Sequence, residues 1–346
     1  MTLTTPGPLV HGGPDAQGAV PHDFSTNGNA CGPCPAALDA VAAADAARYP
    51  DPLHTVLRER LARFHGVDRE RILIAASASE FIGRITAAIA RAGGRRVRIP
   101  EHAYGDYGRA AQAWGLEIER ESADSTSAAA TASSAHLVWG CDPSSPLGLA
   151  SIDDAWIDRA CRAGATCVLD LAYHPLRLEG RPGWSAGALD RVWQLWTPNK
   201  ALGLTGVRAA YAIAPTSAPQ ALMDGLALLA PSWPLGAHGV ALLEAWVGDE
   251  AQQWLSGSRT TLAAWKDEQR AVCESLDWRC LPGVANFFCA WPDVQPAARN
   301  ARLRSFGVKL RDTGSFGLPG GVRLGVLAPS SQLALRKAWL AMGYGR

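Results

Sequence analysis

Lysine is scarce in this chain: its 346 residues contain four, Lys200, Lys266, Lys309 and Lys337. Arginine therefore supplies nearly all the positive charge, and each lysine can be weighed on its own. Neither sign of charge dominates. Lys plus Arg number 33 against 32 Asp plus Glu, a formal net charge of +1 with no basic stripe, which argues against nucleic acid as a partner. Long apolar runs are missing too. The most apolar stretch, 226–246, is interrupted by Pro231, Ser232, Pro234, His238 and Glu244, so no membrane span is expected. Residues 1–17 lack the basic start and apolar core of a secretion signal, and the expectation is a soluble, cytoplasmic protein. What is present, 48% hydrophobic and 19% charged residues, excludes disorder as the dominant state. The length allows one large domain or two modest ones.

The eight cysteines, in a chain this long without a secretion signal, read as reduced thiols, most of them buried as small apolar residues. Cys31-Gly-Pro-Cys34 has the spacing of a redox or zinc half-site. No second CxxC pair accompanies it, and it lies in a Gly/Pro/Asn-rich segment rather than at a strand-to-helix junction, so no metal site is expected.

Residues 1–35, rich in Gly, Pro, Asn and His, predict an extended arm without regular elements. Helical spacing then predicts helices over 35–47, 53–64, 81–92, from near 107, and over 152–163. Strands are expected at 72–76, 96–100, 136–139, 166–169, 192–196 and 209–214. Ser77-Ala78-Ser79-Glu80 resembles a helix N-terminus with small capping side chains. The Ser/Ala/Thr/Asp stretch 121–135 reads as a surface connection. Strands alternating with helices over 70–215 predict an α/β architecture, a largely parallel sheet with helices on both faces. Helical segments over 220–276, strands near 286–291 and 322–327 and a closing helix over 332–341 complete the pattern. The expected organisation is an N-terminal arm (1–35), a large domain (36–245) and a small α+β domain (246–346).

Ligands of open α/β sheets bind beyond the carboxyl ends of the strands. Ser77-Ala78-Ser79, Tyr104, Asp170 and Lys200 all fall at such ends. Lys200 lies in Thr197-Pro-Asn199-Lys200-Ala-Leu-Gly-Leu-Thr-Gly-Val-Arg208, an apolar, glycine-rich loop after a buried strand. A desolvated lysine there has its amine freed for Schiff-base chemistry. Lys266, among Asp267, Glu268 and Arg270, reads instead as lying on a solvated helix face, Lys337 as part of an amphipathic helix, and Lys309 lacks a glycine-rich surround. Asp170, taken alone, reads as a turn cap; beside Lys200 its carboxylate would hold a pyridine nitrogen protonated. Arg208 and the N–H groups of Ala78 and Ser79 would hold a phosphate, and Tyr104 offers a stacking face. These are the parts of a pyridoxal phosphate site.

On these residues the chain resembles the fold-type I pyridoxal-phosphate enzymes of the class I/II aminotransferase family, and within it the histidinol-phosphate aminotransferases and threonine-phosphate decarboxylases. Lys200-Ala-Leu-Gly-Leu-Thr-Gly-Val-Arg208 matches the family's lysine motif and Asp170-Leu-Ala-Tyr173 its Asp-Glu-Ala-Tyr motif. Pro100-Glu-His-Ala-Tyr104-Gly-Asp-Tyr107 matches the segment of the stacking tyrosine, and Gly321-Val-Arg323-Leu the strand whose arginine takes the substrate α-carboxylate. The resemblance implies a large domain with a mostly parallel, seven-stranded-type sheet, pyridoxal 5'-phosphate as cofactor and an amino-acid substrate. It implies Asp170 at the ring nitrogen and Tyr173 near the phenolic oxygen. Arg48-Tyr49-Pro-Asp51 matches a segment that reaches the neighbouring subunit's site, implying a homodimer with Tyr49 shared. His11-Gly12-Gly13 with Asn27 is closest to the decarboxylase branch, whose arm closes over the substrate.

Three positions depart from the family. Its Asn-Pro-Asn-Asn-Pro-Thr-Gly loop reads Asp142-Pro-Ser-Ser-Pro-Leu-Gly148, so the asparagine that donates to the cofactor's phenolic oxygen falls on Ser145. The serine before the lysine is Asn199, and the aspartate of the phosphate loop is Ser79. The favoured expectation is an aminotransferase for an amino acid or its phosphate ester. A decarboxylase of a phosphorylated amino acid, and a cofactor-binding protein with reduced turnover, are the alternatives. Arg177, Arg181, His102, His174 and Arg311 are candidates to face a substrate acid or phosphate, and no spacing rule chooses among them.

Overall fold

The computed structural model describes residues 11–121, 135–162 and 164–344. The connection expected over 121–135 lies outside the described residues apart from its two ends, as does the last residue of the helix expected over 152–163. The arm is mostly irregular, but it is not free of regular structure as expected. Its two-residue strand β1 (His22–Asp23) pairs in parallel with Val308–Lys309, and Arg304 grips Asp15 through both terminal nitrogens at 2.8 and 2.9 Å.

A seven-stranded sheet follows, made of β2 (Ile72–Ala75), β3 (Arg96–Pro100), β4 (Glu117–Glu121), β5 (Leu137–Cys141), β6 (Thr166–Asp170), β7 (Trp193–Trp196) and β8 (Ala210–Ile213), in the order β2-β8-β7-β6-β5-β3-β4. All pairs are parallel except the two made by β8. The sheet's period-two alternation is visible in where side chains go. Ile72, Ile74, Val138, Cys167, Leu169 and Trp196 enter one core layer. There they meet α1 (Pro35–Ala42), α2 (Thr55–His65), α5 (Asp154–Arg162), α6 (Ala186–Leu189), α8 (Ala237–Trp246) and the long α9 (Asp249–Glu274). Ala75, Leu137, Trp139, Val168, Trp193 and Leu195 enter the opposite layer, under α3 (Ala78–Arg91), α4 (Gly105–Ala113) and α7 (Gln220–Leu228).

The smaller sheet is wholly antiparallel. It orders β12 (Arg311–Asp312), β13 (Val322–Gly325), β10 (Phe287–Trp291) and β9 (Arg279–Cys280), with β11 (Val308–Lys309) in the pair with the arm. α10 (Pro296–Ser305) and α11 (Pro329–Ala341) belong to the same part of the chain.

Element boundaries moved where capping outweighs apolar spacing. α3 begins at Ala78, because the Ser77 hydroxyl accepts the Glu80 N–H at 3.2 Å while the Glu80 carboxylate accepts the Ala76 N–H at 3.2 Å, a reciprocal cap. α11 begins at Pro329, which needs no N–H partner in a first turn. β4, Glu-Ile-Glu-Arg-Glu, carries no apolar run and was not expected. It is an edge strand held by Arg96–Glu117 and Arg98–Glu119 pairs, and its charge suits an edge. The reading of Lys266 as solvated is overturned. It is 1% exposed on α9 and donates to Glu179 at 2.6 Å and to the Gly283 carbonyl, while its charged neighbours Asp267 and Glu268 point away from the face it occupies and are exposed.

Candidate active site

The carboxyl ends of the parallel strands open into one cavity of about 490 Å³. β6 ends in Asp170, β5 leads to Ser145, β2 to the N-terminus of α3, β3 to Tyr104 and β7 to Lys200. The lysine loop is shaped by tight turns: Leu202 N–H reaches the Pro198 carbonyl at 2.9 Å and Leu204 N–H the Asn199 carbonyl at 2.8 Å. Gly203 has φ +68°, and a Cβ there would meet the Gly32 carbonyl oxygen at 2.5 Å. The arm is laid directly on this loop, with Asn29 N–H on the Lys200 carbonyl at 2.9 Å and Cys34 N–H on the Leu202 carbonyl at 2.8 Å. Cys31-Gly-Pro-Cys34 thus lies against the lysine loop. Cys34 is buried and precedes α1, the Cys31 thiol contacts the Ser258 carbonyl at 3.7 Å, and all eight thiols are free.

Asp170, 4% exposed, accepts the Tyr107 hydroxyl at 2.7 Å and the Ala172 N–H at 2.9 Å. Burial pushes its carboxyl up; those two bonds and the charge of Lys200 oppose the rise. Lys200 places its ammonium 4.9 Å from the Tyr173 ring centroid, and the Asn27 amide lies 3.4 Å from the Tyr173 hydroxyl. Ser79 meets the Tyr104 hydroxyl at 3.3 Å. Burial, and the nearby charge of Asp106, push Tyr104 up, so it stays a neutral phenol.

Arg323, on β13, donates to the Ser25 carbonyl at 3.1 Å and stands 5.6 Å and 5.7 Å over Phe287 and Phe316. His11 and Gly12 complete the wall. At Gly12 a Cβ would meet the Ser25 carbonyl oxygen at 1.9 Å, so only glycine lets the arm lie this close.

The cavity lining thus contains His11, Gly12, Asn27, Ala78, Ser79, Tyr104, Ser145, Asp170, Tyr173, Asn199, Lys200, Arg208 and Arg323. Tyr49 is not among them. It is 79% exposed and stacks on Trp233 at 4.6 Å. Of the five residues between which the sequence could not choose, Arg311 lines the cavity. It is 4% exposed, bonded to Ser315 at 2.8 Å, and burial and the like charge of Arg323 bring it down to about 10. Arg177 is paired with Asp142, His174 packs on Trp184 and Trp196, and His102 contacts the Phe316 carbonyl at 2.8 Å. Arg109, Asp106 and Phe316 also line the cavity and were missed. No pattern in the sequence marks Phe316, which arrives from a distant short helix over Gly314–Phe316.

The unpartnered atoms suit a polar ligand that both accepts and donates. Buried Thr197 Oγ1 and Arg323 Nε can donate, Asn199 Oδ1 and Asn27 Oδ1 accept, none of the four has a partner, and all four residues face the cavity. A buried atom of this kind costs free energy unless something meets it. A primary amine, a sealed carboxylate and a cluster of arginines stand around one space, which fits pyridoxal phosphate.

An α/β enzyme fold with a lysine and an aspartate at the ends of adjacent strands defines a fold-type I transferase. The sequence profile described as aminotransferase class I and II matches residues 22–339, and the chain belongs to this family, whose enzymes depend on pyridoxal phosphate. It is 30% identical over 318 residues to the histidinol-phosphate aminotransferase of Ruegeria pomeroyi, covering 88% of this chain and 86% of that protein. Over 322 residues it is 30% identical to that of Rhodospirillum rubrum, covering 87% and 84%. The crystal structure of histidinol-phosphate aminotransferase from Sinorhizobium meliloti in complex with pyridoxal-5'-phosphate superposes with a TM-score of 0.79 at 20% identity, covering 94% of this chain and 93% of that one. The L-threonine-O-3-phosphate decarboxylase from Porphyromonas gingivalis gives 0.72 at 20% identity, covering 88% and 92%.

Proposed function

We propose that this protein is a pyridoxal-phosphate-dependent aminotransferase for an amino acid or amino-acid-like phosphate ester, working through Lys200. The observation that carries the reading is the shared cavity, lined by Lys200 and Asp170 together with Arg323 and Arg311. When bound, the cofactor supplies the electron sink that weakens a bond at the substrate's Cα. Lys200 provides the amine that holds the cofactor's aldehyde and, once released, the base that moves the Cα proton. Asp170 holds the proton on the ring nitrogen. Ala78, Ser79, Asn199 and Arg208 hold the phosphate, Tyr104 stacks on the ring, and Tyr173 and Ser145 stand at the phenolic oxygen. Arg323 takes the substrate's carboxylate and Arg311 a second anionic group, while His11, Gly12 and Asn27 close the cavity over it.

Borohydride reduction followed by peptide mapping should place a pyridoxyl group on Lys200. Amino acids and their phosphate esters should then give more than one equivalent of keto product per site only when a keto-acid acceptor is supplied. An adduct on another lysine, or none, removes this reading. The arm residues His11 and Gly12 in the cavity wall favour, as the second reading, a decarboxylase; carbon dioxide release without an acceptor would select it.

The same reading includes a homodimer in which Tyr49 enters the neighbouring site. Tyr49 and Trp233 stack at the surface, and Leu53, Val56 and Leu228 are 69%, 56% and 79% exposed, apolar side chains that a second subunit would cover. Light scattering should give the mass of two chains, and a monomer at micromolar concentration would rule the pairing out. We place the division into arm (1–35), large domain (36–245) and small domain (246–346) in this reading. A cytoplasmic setting belongs to it as well, supported by eight free thiols and by the absence, among the described residues, of a helix long and apolar enough to cross a membrane.

A further inference from the structure

Tyr107 is not part of the cavity wall. It stands behind Asp170, 1% exposed, with its hydroxyl donating to Asp170 Oδ2 at 2.7 Å. Its ring lies face to face with the fully buried Trp139, centroids 4.5 Å apart and planes within 9°, and edge-on to Tyr104 at 5.8 Å and 83°. The two rings packed on it hold the Tyr107 ring in place, with its hydroxyl between Asp170, to which it donates, and the Cys141 thiol. Asp170 Oδ1 is taken in turn by the Ala172 N–H at 2.9 Å. The two bonds come from the protein side and leave the carboxylate's remaining lone pairs turned to the cavity that Asp170 lines.

The surroundings make this bond matter. Asp170 is sealed between β5 and β7, and a bare carboxylate in such a place tends to take up a proton. The neighbouring Cys141 does nothing to prevent that, because burial pushes its thiol up and keeps it protonated. Of the influences that hold Asp170 ionised, the Tyr107 hydroxyl is the strongest, ahead of the Ala172 N–H and the charge of Lys200. Tyr107 itself remains a donor, since burial and the adjacent carboxylate push its phenol up.

Resting on the cofactor reading above, we propose that Tyr107 is a positioning residue, whose hydroxyl, locked by the Trp139 stack, fixes Asp170 as the carboxylate that faces the cofactor's ring nitrogen. Without that bond the proton shared between Asp170 and the ring nitrogen moves to Asp170, and the ring withdraws electrons less well. Substrate contacts at Arg323 and Arg311 stay as they were.

The test uses holoprotein loaded with pyridoxal phosphate carrying nitrogen-15 in the ring, comparing wild type with Tyr107→Phe, which keeps the stack and removes one oxygen. In the wild type the ring nitrogen should give the chemical shift of its protonated form at neutral pH. In Tyr107→Phe the shift should move toward the neutral form, with kcat lower by roughly tenfold and KM unchanged. A merely structural role would not move the nitrogen signal. The same chemical shift in both proteins overturns the proposal. If Tyr107→Phe does not fold, 3-fluorotyrosine installed at position 107 keeps the shape and strengthens the donor. At the same pH the ring-nitrogen signal should then move further toward the protonated form, because a less basic Asp170 leaves the shared proton on the nitrogen. An unchanged signal, or a move toward the neutral form, overturns the proposal. A wild type that takes up no cofactor defeats the cofactor reading first, and this inference with it.

Discussion

Lys200→Ala should lower turnover by on the order of 10⁴-fold or more, since under the proposed function it removes both the amine that would hold the cofactor and the base that would move the Cα proton. Lys200→Arg should lose as much, because a guanidinium keeps the charge but has no amine to give up its proton. The pair of variants separates charge from chemistry. The other three lysines are not placed to substitute. Lys266 is buried in its pair with Glu179, and Lys309 is held by Asp15 and the Gly13 carbonyl. Lys337 lies on α11 and is absent from the cavity wall. The arginine-lined cradle survives in both variants, so bound phosphate should still raise their melting temperatures. A Lys200→Ala protein retaining a tenth of wild-type kcat/KM would remove Lys200 from its proposed role.

The place of Lys200 in the cavity wall was legible in the sequence because few lysines compete with it and because its loop is written locally, in twelve consecutive residues. Asp170 was legible for a similar reason, being the first polar residue after an apolar strand. The sheet and its two helical layers follow from period-two strands separated by helical spacing, which local pattern records well. What was not legible depends on residues distant in the chain. Arg311 stood level with four other candidates until β12 and β13 paired and set it beside Arg323. Tyr107 was quoted as part of the tyrosine motif, but nothing local says that its hydroxyl ends on Asp170, 63 residues later. Lys266 was misread because the adjacent Asp267 and Glu268 do not share its helix face, and because its partner Glu179 lies 87 residues earlier in the chain. β8 runs antiparallel to both neighbours, a reversal that the connection lengths alone leave open.

Arg177→Ala should destabilise the fold by about 3–5 kcal/mol, the usual cost of removing one partner of a buried ion pair. Asp142 is fully buried and Arg177 8% exposed. The guanidinium donates at 2.6 Å to the carboxylate oxygen that also accepts the Trp184 indole at 3.1 Å. Burial pushes the Asp142 carboxyl up and Arg177 opposes this, so losing the arginine leaves a carboxylate that must either stay charged in an apolar setting or take a proton. Asp142→Asn restores the residue found in the related loop, yet it should cost a similar amount here, because it strands the guanidinium instead. The double variant Asp142→Asn with Arg177→Met removes both charges, and should recover most of the loss. The coupling between the two positions is read from denaturant unfolding of the four proteins. Single variants that each lose under about 1 kcal/mol would show that the pair is solvated in solution and not buried as described. A large coupling would instead explain how this chain accommodates an acid at the head of the loop that carries Ser145 into the cavity: the charge came with its own counter-ion, supplied 35 residues further along.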